Sequence, residues 1–157
     1  MTPARTELPR TRAPMDAALA QLVHFFETLS PQGVRQIGSI YAVDARFRDP
    51  FNDVQGLAAI EAIFADMFQR TRSPRFEITS SVQQADHAFV AWDFIFGLGR
   101  RELRVQGCSH LYFDSAGLVA VHRDYWDAAG ELYEQLPLLG VLMRAVRRRL
   151  SAGTPAG

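Results

Sequence analysis

The apolar residues of this chain change period near residue 72, and that change limits the architectures open to it. Up to Thr71 they recur every three or four residues; over the next fifty they alternate in twos. Leu19, Leu22, Val23 and Phe26 share one helical face, with Asp16 as N-cap and Pro31 just past the end. Val34, Ile37 and Tyr41 predict a second, short helix over 32–42. Residues 45–49 read as a short strand and NDVQG (52–56) as loop. LAAIEAIFADMFQRT (57–71) carries Ile60, Ile63, Phe64, Met67 and Phe68 in one stripe, and RSP (72–74) stops it. Then RFEITSSVQQ, HAFVAWDFIFGLG, RELRVQGCSHLYFD and GLVAVHRDYWD alternate in twos and are rich in Val, Phe, Trp and Tyr. Turn residues at 97–101 and 114–117 make an antiparallel meander. Helices and strands that segregate in this way predict the α+β class, with helices on one face of an antiparallel sheet.

A chain of 157 residues, 48% hydrophobic, is sized for one domain with a real core. The proline-bearing residues 1–15 read as a disordered lead-in, 16–150 as the single domain, and 151–157 as a disordered tail. The lead-in has no apolar run, so it is neither a signal peptide nor a spanning helix, and a cytoplasmic location is expected.

Composition removes several function classes. Lys+Arg and Asp+Glu are both 17, which disfavours a general nucleic-acid binder. All the basic residues are Arg, so neither Schiff-base chemistry nor a P-loop lysine is available. Cys108 stands alone and most simply acts as a small hydrophobe. The four His form no metal-binding pattern, so neither a metal nor a cofactor is expected.

The strand at 88–96 is apolar on both faces except at Asp93. One face meets the helices. The face with Trp92, Phe94 and Phe96 is expected outside, covered by a second copy in a sheet-to-sheet homodimer or by the C-terminal helix. RFRDPF (46–51) raises a separate question, because it sets Asp49 between Phe47 and Phe51. Asp49 is either a turn cap or a functional carboxylate.

YAVDARFRDPF, CSHLYFDSAGLV and HRDYWD, taken in order, resemble the nuclear transport factor 2-like superfamily, and within it the SnoaL-like and ketosteroid-isomerase-like group. The resemblance covers about residues 16–127. It implies a cone-shaped fold: a curved, antiparallel-rich sheet wrapped around about three helices, enclosing a deep apolar pocket. A further C-terminal helix would be an addition. It also implies that Asp49, matching the acid before Pro in ketosteroid isomerases, faces the pocket as general base. Two departures stand out. The position of that enzyme's tyrosine falls on Phe25, and that of its second acid on Ser109, so steroid isomerisation as such is not expected.

With Ser109 facing the pocket, alternation adds Leu111, then His122, Asp124 and Trp126 on the closing strand, and Asp93 on 88–96. A β-bulge would break this parity. The late-strand acid of SnoaL-like cyclases matches Asp124 best. Asp49, His122 and Asp124 are therefore the catalytic candidates. Phe25, Phe51, Asp93, Ser109, Leu111 and Trp126 are the ligand-binding ones. Structural alternatives remain for His122 and Asp124, as a buried pair fixing the last strand, and for Asp93, as the partner of an Arg across the sheet. His110 is expected on the outer face, and His24 and His87 at the surface.

ELYEQLPLLGVLMRAVRRRL (131–150) has one apolar face and an Arg cluster at its end. Pro137 and Gly140 shorten the helix to about 141–150. The arginines either complement the helix dipole or bring the helix to an anionic membrane surface as a peripheral contact. Functionally, two readings lead: a cofactor-free isomerase or cyclase acting on a small, largely apolar molecule, and a non-catalytic ligand-binding or protein-interaction module. An epoxide hydrolase ranks below both, because Arg123 and Asp124 face opposite sides of one strand.

Overall fold

The apolar stripe of residues 57–71 and the alternating run after it become one helix and four long strands. The computed structural model describes residues 12–131. In chain order the elements are α1 (Arg12–Glu27), α2 (Pro31–Val34), a 3-10 turn (Ile37–Ser39), β1 (Tyr41–Arg48), β2 (Asp53–Gln55), α3 (Leu57–Arg70), β3 (Arg72–Gln84), β4 (His87–Leu98), β5 (Arg101–Phe113), β6 (Val119–Trp126) and α4 (Ala128–Glu131). The strands form a single sheet ordered β2-β1-β6-β5-β4-β3, antiparallel throughout except for the β1–β6 pair. Leu22 and Phe26 of α1, with Ile60 and Phe64 of α3, share one core with Phe47, Val90, Trp92 and Leu111 of the sheet. This is the cone-shaped α+β fold.

Three local expectations change. The first helix begins at Arg12 rather than Asp16, so 12–15 belong to the fold and Asp16 is not its cap. Pro14 is tolerated because a first-turn N–H has no helical acceptor to lose. The helix expected over 32–42 is only α2, whose Gly33 N–H donates to Ser30 Oγ at 3.1 Å, plus the 3-10 turn. Gly33 and Gly38 weaken a longer helix, and Tyr41 opens β1 instead. NDVQG contains β2, held to β1 by Arg46 donating to both oxygens of Asp53 at 3.0 Å. The Arg46 guanidinium in turn holds the Asp53 carboxyl below its usual range. The expected basic amphipathic helix over 141–150, the rest of the lead-in and the expected tail lie outside the described residues. Among the described residues no helix is long and apolar enough to cross a membrane.

The β4–β5 hairpin decides which residues face inward. Gly99, at φ 59°, supplies the positive φ at the first central position of a two-residue turn. The turn pairs Leu98 with Arg101, and hence Phe94 with Val105, Trp92 with Gly107 and Val90 with Ser109. Trp92, Phe94 and Phe96 therefore lie on the inner face, against the expected outer seam. Asp93 moves the other way. It lies on the outer face and accepts from Arg104 Nη1 and from Gln106 Nε2, the latter at 3.1 Å. The outer face instead exposes Phe89, Tyr112, Val121 and Tyr125, with His110 stacked on Phe89 at 4.2 Å between centroids. An added Cβ at Gly99 meets nothing within 4 Å, so only its φ resists substitution. Gly99→Ala is expected to lower the unfolding free energy by about 1 kcal/mol in urea denaturation, with no change in m-value.

Candidate functional site

Strand alternation collects the polar residues of the inner face around one histidine. The β5–β6 register pairs Ser109 with Asp124 and Leu111 with His122 without interruption. Because β1 runs parallel to β6, Phe47 lies beside His122. A register shift between Tyr41 and Arg46 carries the Tyr41 side chain to the same ring. The Tyr41 and His122 rings are parallel within 5°, with centroids 5.8 Å apart. Phe47 meets His122 edge-on at 4.9 Å and Phe26 at 5.9 Å.

The hydrogen bonds form one chain. Tyr41 Oη is 2.5 Å from His122 Nδ1. His122 Nε2 is 2.7 Å from Asp124 Oδ1 and 3.0 Å from Ser109 Oγ. The Ser109 hydroxyl donates to Asp124 Oδ1 at 2.5 Å, and the Trp92 indole N–H donates to Ser109 Oγ at 2.8 Å. One proton arrangement gives every donor an acceptor: Tyr41 donates to Nδ1, and His122 Nε2–H and Ser109 donate to an ionised Asp124. Burial first, and the Asp124 charge second, push the Tyr41 phenol well above its usual range, so it keeps its proton.

Asp124 ends this chain at the wall of a cavity of about 560 Å³. Phe76, Trp92, Phe94 and Phe96 form much of that wall. Phe51 and Trp126 also line it, with rings edge-on at 5.3 Å. Two donors, Ser109 Oγ and His122 Nε2, converge on Asp124 Oδ1, whereas Oδ2 has no partner among the described residues. The carboxylate is thus fixed by one oxygen and offers the other.

Asp49 also lines the cavity, but in a different state. Its Oδ1 accepts from the backbone N–H groups of Phe51 (2.7 Å) and Asn52 (2.6 Å), and Asn52 Nδ2 reaches both oxygens at 3.0 and 2.9 Å. That is the turn-capping arrangement. Phe25 lies in a separate surface depression with Gln21, His24 and Thr28; its neighbour Phe26 takes the place beside His122. Leu111 is fully buried in the core and lines no part of the cavity. Asp93 is excluded by its outward pairing.

Sequence reasoning passed over Tyr41 and the inward set Phe76, Trp92 and Phe94. The run YAV after two glycine-weakened turns signals a strand start that would have placed Tyr41 on β1. Arg123 directs its guanidinium over the Tyr125 ring at 4.7 Å, so it does not join Asp124 in the cavity.

The SnoaL-like domain family matches residues 22–122. No curated protein matches. Among solved structures, a protein of ketosteroid isomerase-like fold from Catenulispora acidiphila, in complex with trimethylamine, is 16% identical; the match covers 78% of this chain and 92% of that one with a TM-score of 0.62. An LEH-like epoxide hydrolase from M. tuberculosis is 14% identical, with 85% and 96% covered and a TM-score of 0.63. TsrD from Streptomyces laurentii is 17% identical, with 85% and 98% covered and a TM-score of 0.62. At such identities the likeness carries the fold alone.

Proposed function

The chain belongs to the SnoaL-like family, and from that premise we propose that it binds a small, largely apolar molecule in the conical cavity and moves a proton on it without a cofactor. The acting group in this reading is Asp124 rather than Asp49. One observation carries it: Asp124 lines the cavity, its Oδ1 takes two donors, and its Oδ2 takes none among the described residues. A base needs a free lone pair within reach of its substrate. Asp49 has its oxygens engaged by the turn. His122 and Ser109 serve as positioning residues that fix the carboxylate, with Tyr41 and Trp92 behind them. Isomerisation and ring closure are the reaction types this suits.

The alternative is a non-catalytic binding module of the same fold. It is favoured by a shortage of donors for a developing oxyanion, since Asn52, Thr71 and Trp92 already donate to protein acceptors.

A ligand screen by thermal shift on wild type, Asp49→Asn and Asp124→Asn tests both readings, because a ligand of the native state raises its apparent stability. Compounds that stabilise all three proteins are then assayed for turnover. The proposal expects turnover in wild type and Asp49→Asn and none in Asp124→Asn. Turnover that survives in Asp124→Asn and disappears in Asp49→Asn overturns it. Binding without turnover in all three selects the binding module.

A further inference from the structure

We propose that the ligand of this cavity carries a positive charge: a protonated or quaternary amine, or an iminium, with apolar substituents. The inference rests on the reading above that the cavity with Asp124 is the ligand site.

Charge comes first. Among the described residues, Asp49, Asp66 and Asp124 line the cavity against a single guanidinium, that of Arg70. Arg70 is already engaged, with Nε 2.6 Å from Asp66 Oδ2, and both side chains are largely solvated. Asp49 is already engaged by three N–H donor groups. Asp124 has two side-chain partners, the Ser109 hydroxyl and the His122 imidazole, whose other nitrogen is hydrogen-bonded to Tyr41. Arg123, next in sequence, lies over Tyr125 on the opposite face. Among the described residues, no arginine stands against Asp124. A carboxylate at an apolar wall gains most from a counter-charge brought by the ligand.

The rings favour the same sign. Phe76 and Phe94 stack at 4.7 Å, as do Phe94 and Phe96, and Trp92 lies edge-on to Phe76 at 5.6 Å. A cation that reaches a ring face is attracted by its negative quadrupole potential, whereas an anion is repelled. The described lining thus favours a positive charge through its carboxylates, with ring faces as further attractors where a ligand reaches them.

A cationic substrate also removes the difficulty over the oxyanion. When Asp124 removes the α-proton of an iminium, the C–H pair becomes the new C=C bond and the C=N π pair returns to nitrogen. The proton goes to Oδ2, the ligand leaves as a neutral enamine, and the carboxylate becomes a neutral acid. No oxyanion develops, so the cavity needs no donors to hold one.

The test titrates the two tryptophans' fluorescence with benzyltrimethylammonium and with its neutral carbon isostere, neopentylbenzene. The expected result is binding of the cation to wild type about tenfold tighter than the isostere, or more. Asp124→Asn should erase most of that preference and keep the isostere's affinity. Phe94→Leu, which keeps apolar volume and removes a π face, should reduce the preference severalfold, and it carries the test if Asp124→Asn fails to fold. Equal or tighter binding of the isostere to wild type overturns the inference and leaves the cavity reading standing. A preference unchanged in both variants also overturns it, because the charge is then read elsewhere. If neither probe binds, the cavity is not the ligand site and both readings fall.

Discussion

Gly107→Ala is expected to cost about 3 kcal/mol of stability and to loosen the candidate site in the same step. Gly107 faces Trp92 across the β4–β5 pair, and the indole lies over the space where a side chain would stand. A Cβ at Gly107 would sit 2.3, 2.5 and 2.7 Å from Cη2, Cζ2 and Cζ3 of Trp92. Those atoms belong to a rigid, buried ring that meets Phe76 edge-on, so the ring has to move as a unit. Moving it breaks the 2.8 Å hydrogen bond from Trp92 Nε1 to Ser109, one of the contacts behind Asp124. Urea denaturation of wild type, Gly107→Ala, Trp92→Phe and the double variant separates these causes. Phenylalanine lacks the far edge of the indole, so Gly107→Ala should cost less than about 1 kcal/mol in the Trp92→Phe background. An equal cost in both backgrounds would show that the indole is not the obstacle.

The same residue pair marks the boundary of what the sequence made legible. Alternation within a strand is a local property. It correctly put Ser109 and Leu111 on one face of β5, and His122, Asp124 and Trp126 on one face of β6. Which face of β4 joins them depends on register, and register is set by the turn. Treating 97–101 as a diffuse turn gave β4 the wrong parity, with Asp93 inward and Trp92, Phe94 and Phe96 outward. Placing the two central residues at Gly99 and Arg100 would have turned Trp92, Phe94 and Phe96 inward and Asp93 outward. On α1 the matching error was a single position, since one residue rotates a helix by about 100° and exchanges Phe25 for Phe26. Tyr41 was hidden for a different reason. The register shift in β1 spoils alternation between Tyr41 and Ala45, so no period pointed to it. The stripe of α3 and the order of the long strands were legible because burial imposes them residue by residue. The site was less so, because its geometry depends on pairings between distant segments.

Tyr41 should make the protein lose stability in alkali, by up to about 1.4 kcal/mol per pH unit above about pH 10. The native phenol is held well above its usual range by burial and by the Asp124 charge, whereas the unfolded phenol releases its proton near pH 10. Above that pH the unfolded state binds fewer protons than the native state, so the unfolding free energy falls as pH rises. The thiol of Cys108 is also raised, by burial and then by Asp124, and adds a loss of the same sign from about pH 8.5. Tyr41→Phe removes only the tyrosine part. Near pH 8 the variant should be less stable by about 2 kcal/mol, because His122 Nδ1 loses its donor while buried. As pH climbs past 10 the two stability curves should converge, since only wild type carries the tyrosine penalty. Urea midpoints from pH 8 to 11.5 measure this, and parallel curves would rule out the buried phenol as their cause. Convergence would also bear on the site itself. While Tyr41 keeps its proton it can donate to His122 Nδ1, which leaves Nε2–H to donate to Asp124 Oδ1 and holds that carboxylate by one oxygen at the cavity.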